Sequence, residues 1–153
     1  MTLPPFQGLL DAHGVEVHRF LSGLLGREGA DDCYQETWLS ALRAYPDLRD
    51  ASNLRSWIFT IAHRKAIDHL RVSSRSITMD ALPEPAAAER REPDDDLWAQ
   101  VRELPDKQRT AVALRYVLDA PYAEISQVMG TSEDAARRNV HEGLKRLRRE
   151  YLP

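Results

Sequence analysis

Cationic side chains recur at helical spacing near the C-terminus of this 153-residue chain. At about 100° per residue, one side of a helix over 133–151 collects small and apolar residues, among them Ala136, Val140 and Leu147. The opposite side carries Asp134, Arg138, His141, Lys145, Arg148 and Arg149, with Arg137 at its edge. Because guanidinium groups bond to guanine edges and to phosphates in the major groove, this arrangement favours a helix that reads DNA. A cationic face is also often a plain solvated surface, so the helix alone leaves both interpretations open.

A shorter helix and a tight turn precede the cationic helix. The buried side of this shorter helix is predicted to consist of Ala123, Ile125, Val128 and Met129. Gly130 takes the turn, where a left-handed backbone costs glycine little, and Thr131 or Ser132 caps the next helix. Two helices joined in this way form the helix-turn-helix pattern. Gly143 lies on the packed face of the second helix, which predicts a close approach by another helix.

No other group of side chains forms a convincing catalytic or metal site. His63 and His69 have no thiolates or acids at ligand spacing, so we predict no metal there. The three carboxylates at 94–96 are adjacent in a segment that follows a proline, and they would point in different directions. Cys33 is the single cysteine, which excludes an internal disulfide and a thiolate cluster. We therefore predict no catalytic residue, no metal and no cofactor.

Composition indicates a helical globular chain. With 42% hydrophobic and 29% charged residues, the chain can bury a core, and good helix formers dominate it. A formal net charge of -3 argues against a generally adhesive nucleic-acid binder, so the placement of charge matters more than its sum. No apolar run reaches the roughly 20 residues that cross a bilayer, and residues 1–10 do not have the order of a signal peptide. We predict no membrane insertion and a cytoplasmic location.

Helical periodicity in the first half of the chain predicts three helices. Apolar spacing from Val17 to Leu25 marks the first helix, and Gly26 and Gly29 interrupt it. A second helix is expected to start at Asp32 as its cap and to stop at Pro46. Its buried stripe is predicted to be Tyr34, Trp38, Ala41, Leu42 and Tyr45. Asn53 is a favourable cap for the third helix, whose apolar face carries Leu54, Trp57, Ile58 and Ile61.

Motifs in both halves of the chain resemble those of bacterial sigma factors. The run DDCYQETWLSALR at 31–43 and the run LRSWIFTIAHRKAIDHLR at 54–71 are similar to sigma region two. LPDKQR at 104–109, LRY at 114–116, YAEI at 122–125 and MGTSE at 129–133 look like region four. Both sets occur in the family's order, and no counterpart of the larger housekeeping regions is present. The chain is thus identified as a member of the extracytoplasmic-function class.

The resemblance implies a role for each surface. A Gln-Glu helix docks on the largest subunit of RNA polymerase in this family, which assigns that role to Asp32, Gln35, Glu36 and Arg43. The loop before the third helix, and that helix, hold the melted minus-ten element, which assigns minus-ten contacts to Arg49, Asn53, Arg55, His63, Arg64, Lys65 and Arg71. The helix-turn-helix reads the minus-thirty-five element, which assigns contacts there to Arg137, Arg138, His141, Lys145 and Arg148. Residues 61–65 and 135–140 depart from the common family sequence, so base preference does not carry over.

These observations predict an all-α protein of two small helical domains joined by a flexible linker. The expected boundaries are 1–72 for region two, 73–96 for an acidic linker rich in proline, and 97–153 for region four. The expected partners are core RNA polymerase and promoter DNA, and the family leaves room for an anti-sigma factor. A stand-alone repressor or activator is a second hypothesis, but neither half shows a dimer seam or an effector pocket. A small hydrolase or nuclease is a third, and it would need a nucleophile–base set, a phosphate loop or zinc spacing, none of which the sequence shows.

Overall fold

A computed structural model of the chain describes residues 3–77 and 93–151, and the side chains of 3–72 and 96–149. The described part contains α-helices and a short 3-10 turn at Tyr45–Asp47, and no strand. The helices are α1 (Phe6–Ala44), α2 (Leu54–Ile77), α3 (Pro93–Arg102), α4 (Asp106–Val117), α5 (Tyr122–Met129) and α6 (Glu133–Tyr151). The all-α prediction is confirmed. We call α1 and α2 the N-terminal module, and α3 to α6 the C-terminal module.

A kink at Gly26 divides α1 into two halves. Gly26 has φ 79° and ψ 176°, a conformation that side-chain-bearing residues rarely adopt, so the predicted break after the first apolar stripe is confirmed. The expected start of the second half at Asp32 is wrong, because the helix resumes directly after Gly26. Gly29 and Ala30 are buried, and Gly29 lies against the His69 side chain of α2. Small residues in close contact with a neighbouring helix carry no apolar periodicity, which is why the start was misplaced.

The sequence also predicted correctly where α1 ends and where α2 begins. Tyr45 and Pro46 follow the last residue of α1 in a 3-10 turn. Asn53 Oδ1 accepts a hydrogen bond of 3.3 Å from the backbone N–H of Ser56, which confirms Asn53 as the cap of α2. Both ends of the predicted linker are helical, since α2 continues to Ile77 and α3 begins at Pro93. The rest of the predicted linker, 78–92, lies outside the described residues.

Aromatic packing holds α1 against α2. The rings of Phe20 and Phe59 meet edge to face with centroids 5.5 Å apart, and both residues are fully buried. Trp38 meets Phe6 edge to face, and Tyr34 meets Trp38 in the same way. Trp57 lies 6.0 Å from the ring of Tyr45. The predictions that Tyr34, Trp38 and Trp57 belong to the packing are confirmed.

The two modules share one apolar core. Helices α3 and α4 contact α1, and α5 contacts α2. Buried residues of both modules, including Phe20, Ile58, Leu114 and Ile125, belong to one continuous cluster. Trp98 of α3 lies so close to α1 that a Cβ added at Gly23 would be 2.7 Å from its ring. The surfaces predicted to contact polymerase and DNA are thus carried by one packed unit in this structure.

Candidate polymerase and nucleic-acid interfaces

The second half of α1 presents a continuous exposed face. Cys33, Thr37, Trp38 and Ala41 are buried against the core, so the opposite side of this helix faces outward. The outward residues recur at three- and four-residue spacing. This docking face consists of Asp32, Gln35, Glu36, Leu39, Leu42 and Arg43, all exposed. The four residues predicted to bind polymerase therefore share one surface.

Two leucines lie among the charged residues of the docking face. Leu39 and Leu42 are each 51% exposed. The prediction that Leu42 is buried is wrong, because Ala41 and Tyr45 occupy the inward positions of that turn. Exposed apolar side chains within a polar rim are typical of a protein interface. Leu39 was not among the residues predicted for this surface, although its spacing from Gln35 and Glu36 places it on the same face.

The segment before α2 and its first turn reach across to the C-terminal module. Asn53 Nδ2 donates a hydrogen bond of 3.2 Å to Gln127 Oε1 of α5. Arg55 Nε lies 2.8 Å from Glu124 Oε1, and Arg55 Nη2 donates a bond of 2.7 Å to the carbonyl oxygen of Leu118. We call these contacts the inter-module contacts. Two residues predicted to contact the minus-ten element are therefore engaged with the other module.

The remaining residues predicted for the minus-ten element differ in exposure. Arg49, Arg64 and Arg71 are exposed, and Lys65 is half-buried. His63 is only 8% exposed, and its Nδ1 has no hydrogen-bond partner within the described part of the chain. Burial lowers the pKa of His63 below its ordinary value, and the charge of Arg64 lowers it further. The expectation that His63 offers its ring to a DNA strand is therefore corrected, because its side chain is buried.

The helix-turn-helix forms as the sequence predicts, with one exception. Gly130 takes the left-handed conformation at φ 67° and ψ 36°, and Ser132 Oγ accepts a 3.0 Å bond from the backbone N–H of Ala135. Ile125 and Val128 are buried against α6 and the core. Ala123, predicted to be buried, is exposed, because it faces away from that packed side of α5.

The outer face of α6 is exposed and predominantly cationic. Its inner side, with Ala136 and Val140, is buried. Exposed side chains on the outer face are Asp134, Arg138, His141, Lys145, Arg148 and Arg149. Such a helix, held at the edge of a compact module, can enter the major groove with its cations toward bases and phosphates.

Arg137 lies at the edge of that face and contacts other residues. Its side chain is 49% exposed and lies 3.5 Å from Asp134 and 4.0 Å from Glu133. Its guanidinium carbon is also 5.0 Å from the ring centroid of Tyr122 on α5. In the sequence, Tyr122 is marked only by its place in the YAEI motif at 122–125.

The groups that could bind a metal or act as a nucleophile can be located in the described residues. Those residues contain no group of three or more His, Cys, Asp or Glu side chains that could hold a metal ion. Burial raises the pKa of the Cys33 thiol to about 11, with Glu36 and Asp32 adding to the rise. A thiol of that pKa supplies almost no thiolate near neutral pH, so Cys33 is a packing residue rather than a nucleophile. Among the described helices, none is both long and apolar enough to cross a membrane.

Fold and surfaces together describe a helical protein that carries a helix-turn-helix with a cationic outer face and, on α1, an exposed face of mixed charged and apolar residues. Comparison with known proteins places it within a family. Residues 9–76 match the family model Sigma-70 region 2, and residues 94–147 match Sigma-70, region 4. The chain is similar to the RNA polymerase sigma factor CarQ of Myxococcus xanthus, with 30% identity over 94% of this chain and 87% of that protein. It is 31% identical to the ECF RNA polymerase sigma factor SigC of Mycobacterium tuberculosis, over 88% of this chain and 76% of the relative.

A solved structure shares the fold. The sigma factor RpoE from Bartonella quintana, in complex with the anti-sigma factor NepR, superposes with a TM-score of 0.79 at 20% identity, covering 94% of each chain. The chain belongs to the sigma-70 family of RNA polymerase sigma factors, in its extracytoplasmic-function class. Members of this family are transcription-initiation factors. The family predicted from the sequence motifs is confirmed.

Proposed function

We propose that this chain binds core RNA polymerase through the docking face of α1 and selects promoters through α2 and α6. The observation that carries this proposal is the presence, in one chain, of an amphiphilic docking face and a cationic recognition helix. A stand-alone repressor would not need a surface that binds core RNA polymerase. We propose region two over 1–72, a linker within 73–96 and region four over 97–153, with helices α2 and α3 extending into the linker at both ends.

We propose specific roles for the exposed residues. On the docking face, Leu39 and Leu42 supply apolar contact, and the charged rim supplied by Asp32, Gln35, Glu36 and Arg43 fixes orientation. Arg49, Arg64, Lys65 and Arg71, together with Asn53 and Arg55 once the inter-module contacts are released, hold the minus-ten strand. On α6, Arg138 and His141 contact bases, while Lys145 and Arg148 contact phosphates. Arg137 contributes from the edge of that face.

The direct test is transcription by a reconstituted polymerase. The purified chain is added to bacterial core RNA polymerase with a library of promoters randomised in both upstream elements, and the transcripts are sequenced. We expect sequence-selected transcripts only when the chain is present. Transcripts whose start sites do not depend on the chain would favour the stand-alone repressor instead.

Substitution on the docking face tests its role in binding polymerase. Replacing Leu42 by Gln should weaken affinity for core polymerase about tenfold, because a central apolar contact of an interface is worth roughly 1.4 kcal/mol or more. Val15, which is 66% exposed on the first half of α1, provides the matched control, since Val15→Gln should leave affinity unchanged. The two variants are compared by titration against labelled core enzyme. Equal affinities of both variants would remove the docking role from this face.

Substitution on α6 tests the upstream contact. A bidentate contact between arginine and a base is worth about 1–3 kcal/mol, so Arg138→Ala should reduce promoter binding by the holoenzyme about five- to 150-fold. Arg27, exposed on the other module, provides a control of equal charge change. On promoters altered in the minus-thirty-five element, the wild type and Arg138→Ala should bind with equal affinity. If a difference between them persists, Arg138 does not read that element.

The chain's wider context is also proposed from these features. We propose that it catalyses no reaction itself and acts in the cytoplasm, where it would meet RNA polymerase. The similar structures of RpoE and of CnrH hold, respectively, the anti-sigma factor NepR and the cytosolic domain of CnrY. By that analogy a protein inhibitor is a further partner of this chain. Isolation of the chain from its host before and after stress, followed by mass spectrometry of bound proteins, tests this.

A further inference from the structure

The ring of Tyr122 lies where the two helices of the helix-turn-helix and α4 meet. The guanidinium carbon of Arg115, on α4, is 4.9 Å from the ring centroid, and that of Arg137, on α6, is 5.0 Å from it. Tyr122 itself is the first residue of α5 and is half-buried against the core. One aromatic ring therefore contacts a cation from each of two other helices.

The two arginines differ in how firmly they are held. Arg115 Nη1 donates a hydrogen bond of 2.9 Å to the carbonyl oxygen of Ala120, in the loop just before α5. Apart from the ring of Tyr122, the contacts of Arg137 within the described residues are weaker, with Asp134 and Glu133 of the first turn of α6 at 3.5 and 4.0 Å, and half of its side chain is exposed. Arg115 is thus fixed to the backbone beside Tyr122, whereas Arg137 depends on the ring and on two exposed acids for its orientation.

The aromatic ring supplies attraction without competing for hydrogen bonds. The face of an aromatic ring attracts a guanidinium group through its negative quadrupole. A long side chain loses rotamer freedom when it binds a partner, and holding it in advance removes part of that cost. A carboxylate at hydrogen-bond distance would instead occupy the N–H groups that a phosphate or base needs, and Asp134 and Glu133 lie beyond that distance, at 3.5 and 4.0 Å. An aromatic contact therefore orients Arg137 and leaves its donors available.

We propose that Tyr122 is a positioning residue for promoter recognition: its ring, itself fixed by Arg115, holds the Arg137 guanidinium in place for upstream-element DNA. This inference rests on the proposed function, because it requires that α6 reads the promoter. It adds Tyr122 and Arg115 to the residues that determine upstream recognition. It also distinguishes Arg137 from Arg138, whose side chain has no ring contact or ion pair with the described residues.

Two substitutions at Tyr122 separate the ring from the hydroxyl group. Tyr122→Phe keeps the ring and removes the hydroxyl, while Tyr122→Leu keeps apolar bulk and removes the ring. The assay is competition for the promoter that the wild-type holoenzyme selects, run with the full chain on core polymerase. We expect Tyr122→Leu to lower promoter affinity about three- to fivefold and Tyr122→Phe to lower it less than about twofold. Tyr116, which is 60% exposed on α4, provides the control, and Tyr116→Leu should have no effect.

The same substitution in an Arg137→Ala chain tests whether Tyr122 acts through Arg137. In that background Tyr122→Leu should cause no further loss, because the side chain it positions is gone. A simple loss of folding would instead weaken binding equally in both backgrounds and would lower the melting temperature of the free chain. Equal losses for Phe and Leu, or additive losses with Arg137→Ala, would overturn the positioning role. A wild-type holoenzyme that selects no promoter from the library would overturn the proposed function, and this inference with it.

Discussion

Burial of an ionisable ring makes the stability of a protein depend on pH, and His63 is such a ring. Its side chain is 8% exposed, and burial lowers its pKa below 6.5. The unfolded chain therefore takes up this proton at higher pH than the folded chain does. Stability is fully present above about pH 6.5 and is lost as the pH falls through the folded pKa. His13, whose pKa burial also lowers, contributes in the same direction.

We expect His63→Leu to flatten the dependence of unfolding free energy on pH. One such group contributes a slope of at most about 1.4 kcal/mol per pH unit, so the wild type should lose stability between pH 7 and pH 5 and the variant should lose less. Urea unfolding at a series of pH values measures this. His141→Leu, on the exposed face of α6, serves as the control and should keep the wild-type slope. Parallel curves for wild type and His63→Leu would show that His63 is not held neutral.

At the scale of elements, the contact between α4 and α6 depends on Gly143, which has no side chain. A Cβ at Gly143 would lie 2.7 Å from Val112 Cγ2, and Val112 is itself only 3% exposed. Valine in a helix has one strongly preferred rotamer, so it cannot easily turn aside. The close approach predicted from the place of Gly143 on the packed face is therefore confirmed.

Paired glycine substitutions test this helix contact. Gly143→Ala should destabilise the chain by about 1–2 kcal/mol, because overpacking outweighs the gain in helix propensity. Gly8, in the first turn of α1, has nothing within 4 Å of an added Cβ, so Gly8→Ala should be neutral or stabilising by up to about 1 kcal/mol. Urea unfolding measures both. A stabilised Gly143→Ala would mean that α4 and α6 do not approach this closely.

Elements with strong local signals were predictable from the sequence, whereas the partners in most tertiary contacts were not. The observed α6, Glu133–Tyr151, begins and ends where its periodicity indicated, because its apolar and charged sides are cleanly separated and Gly130 marks the turn before it. The second half of α1 was misplaced because Gly29 and Ala30 pack without an apolar signal. The exposure of Leu42 and the burial of His63 depend on which side of a helix its neighbours cover. No local pattern specifies that.

At the scale of the whole molecule, the packing of the two modules bears on the use of α2. Arg55 is paired with Glu124 and bonded to Leu118, and Asn53 is bonded to Gln127. Arg55 and Leu118 are 63 positions apart in the chain, and Asn53 and Gln127 are 74 positions apart. Sequence periodicity cannot reveal such pairs. If Arg55 and Asn53 hold minus-ten DNA, the inter-module contacts must open first.

Changing the partners, and leaving Asn53 and Arg55 intact, tests how firmly the modules are held. We expect the double variant Glu124→Gln, Gln127→Ala to favour separation of the modules by about 1–2 kcal/mol, because it removes the charge of one ion-pair partner and removes one neutral hydrogen bond. Small-angle scattering of the free chain should then give a larger radius of gyration than for the wild type. The same chemical changes at exposed Glu28 and Gln7 serve as the control. An unchanged radius of gyration in the double variant would mean that the shared apolar core, including the contact of Trp98 with Gly23, holds the modules together. An extended wild-type chain would show that the modules separate without any substitution.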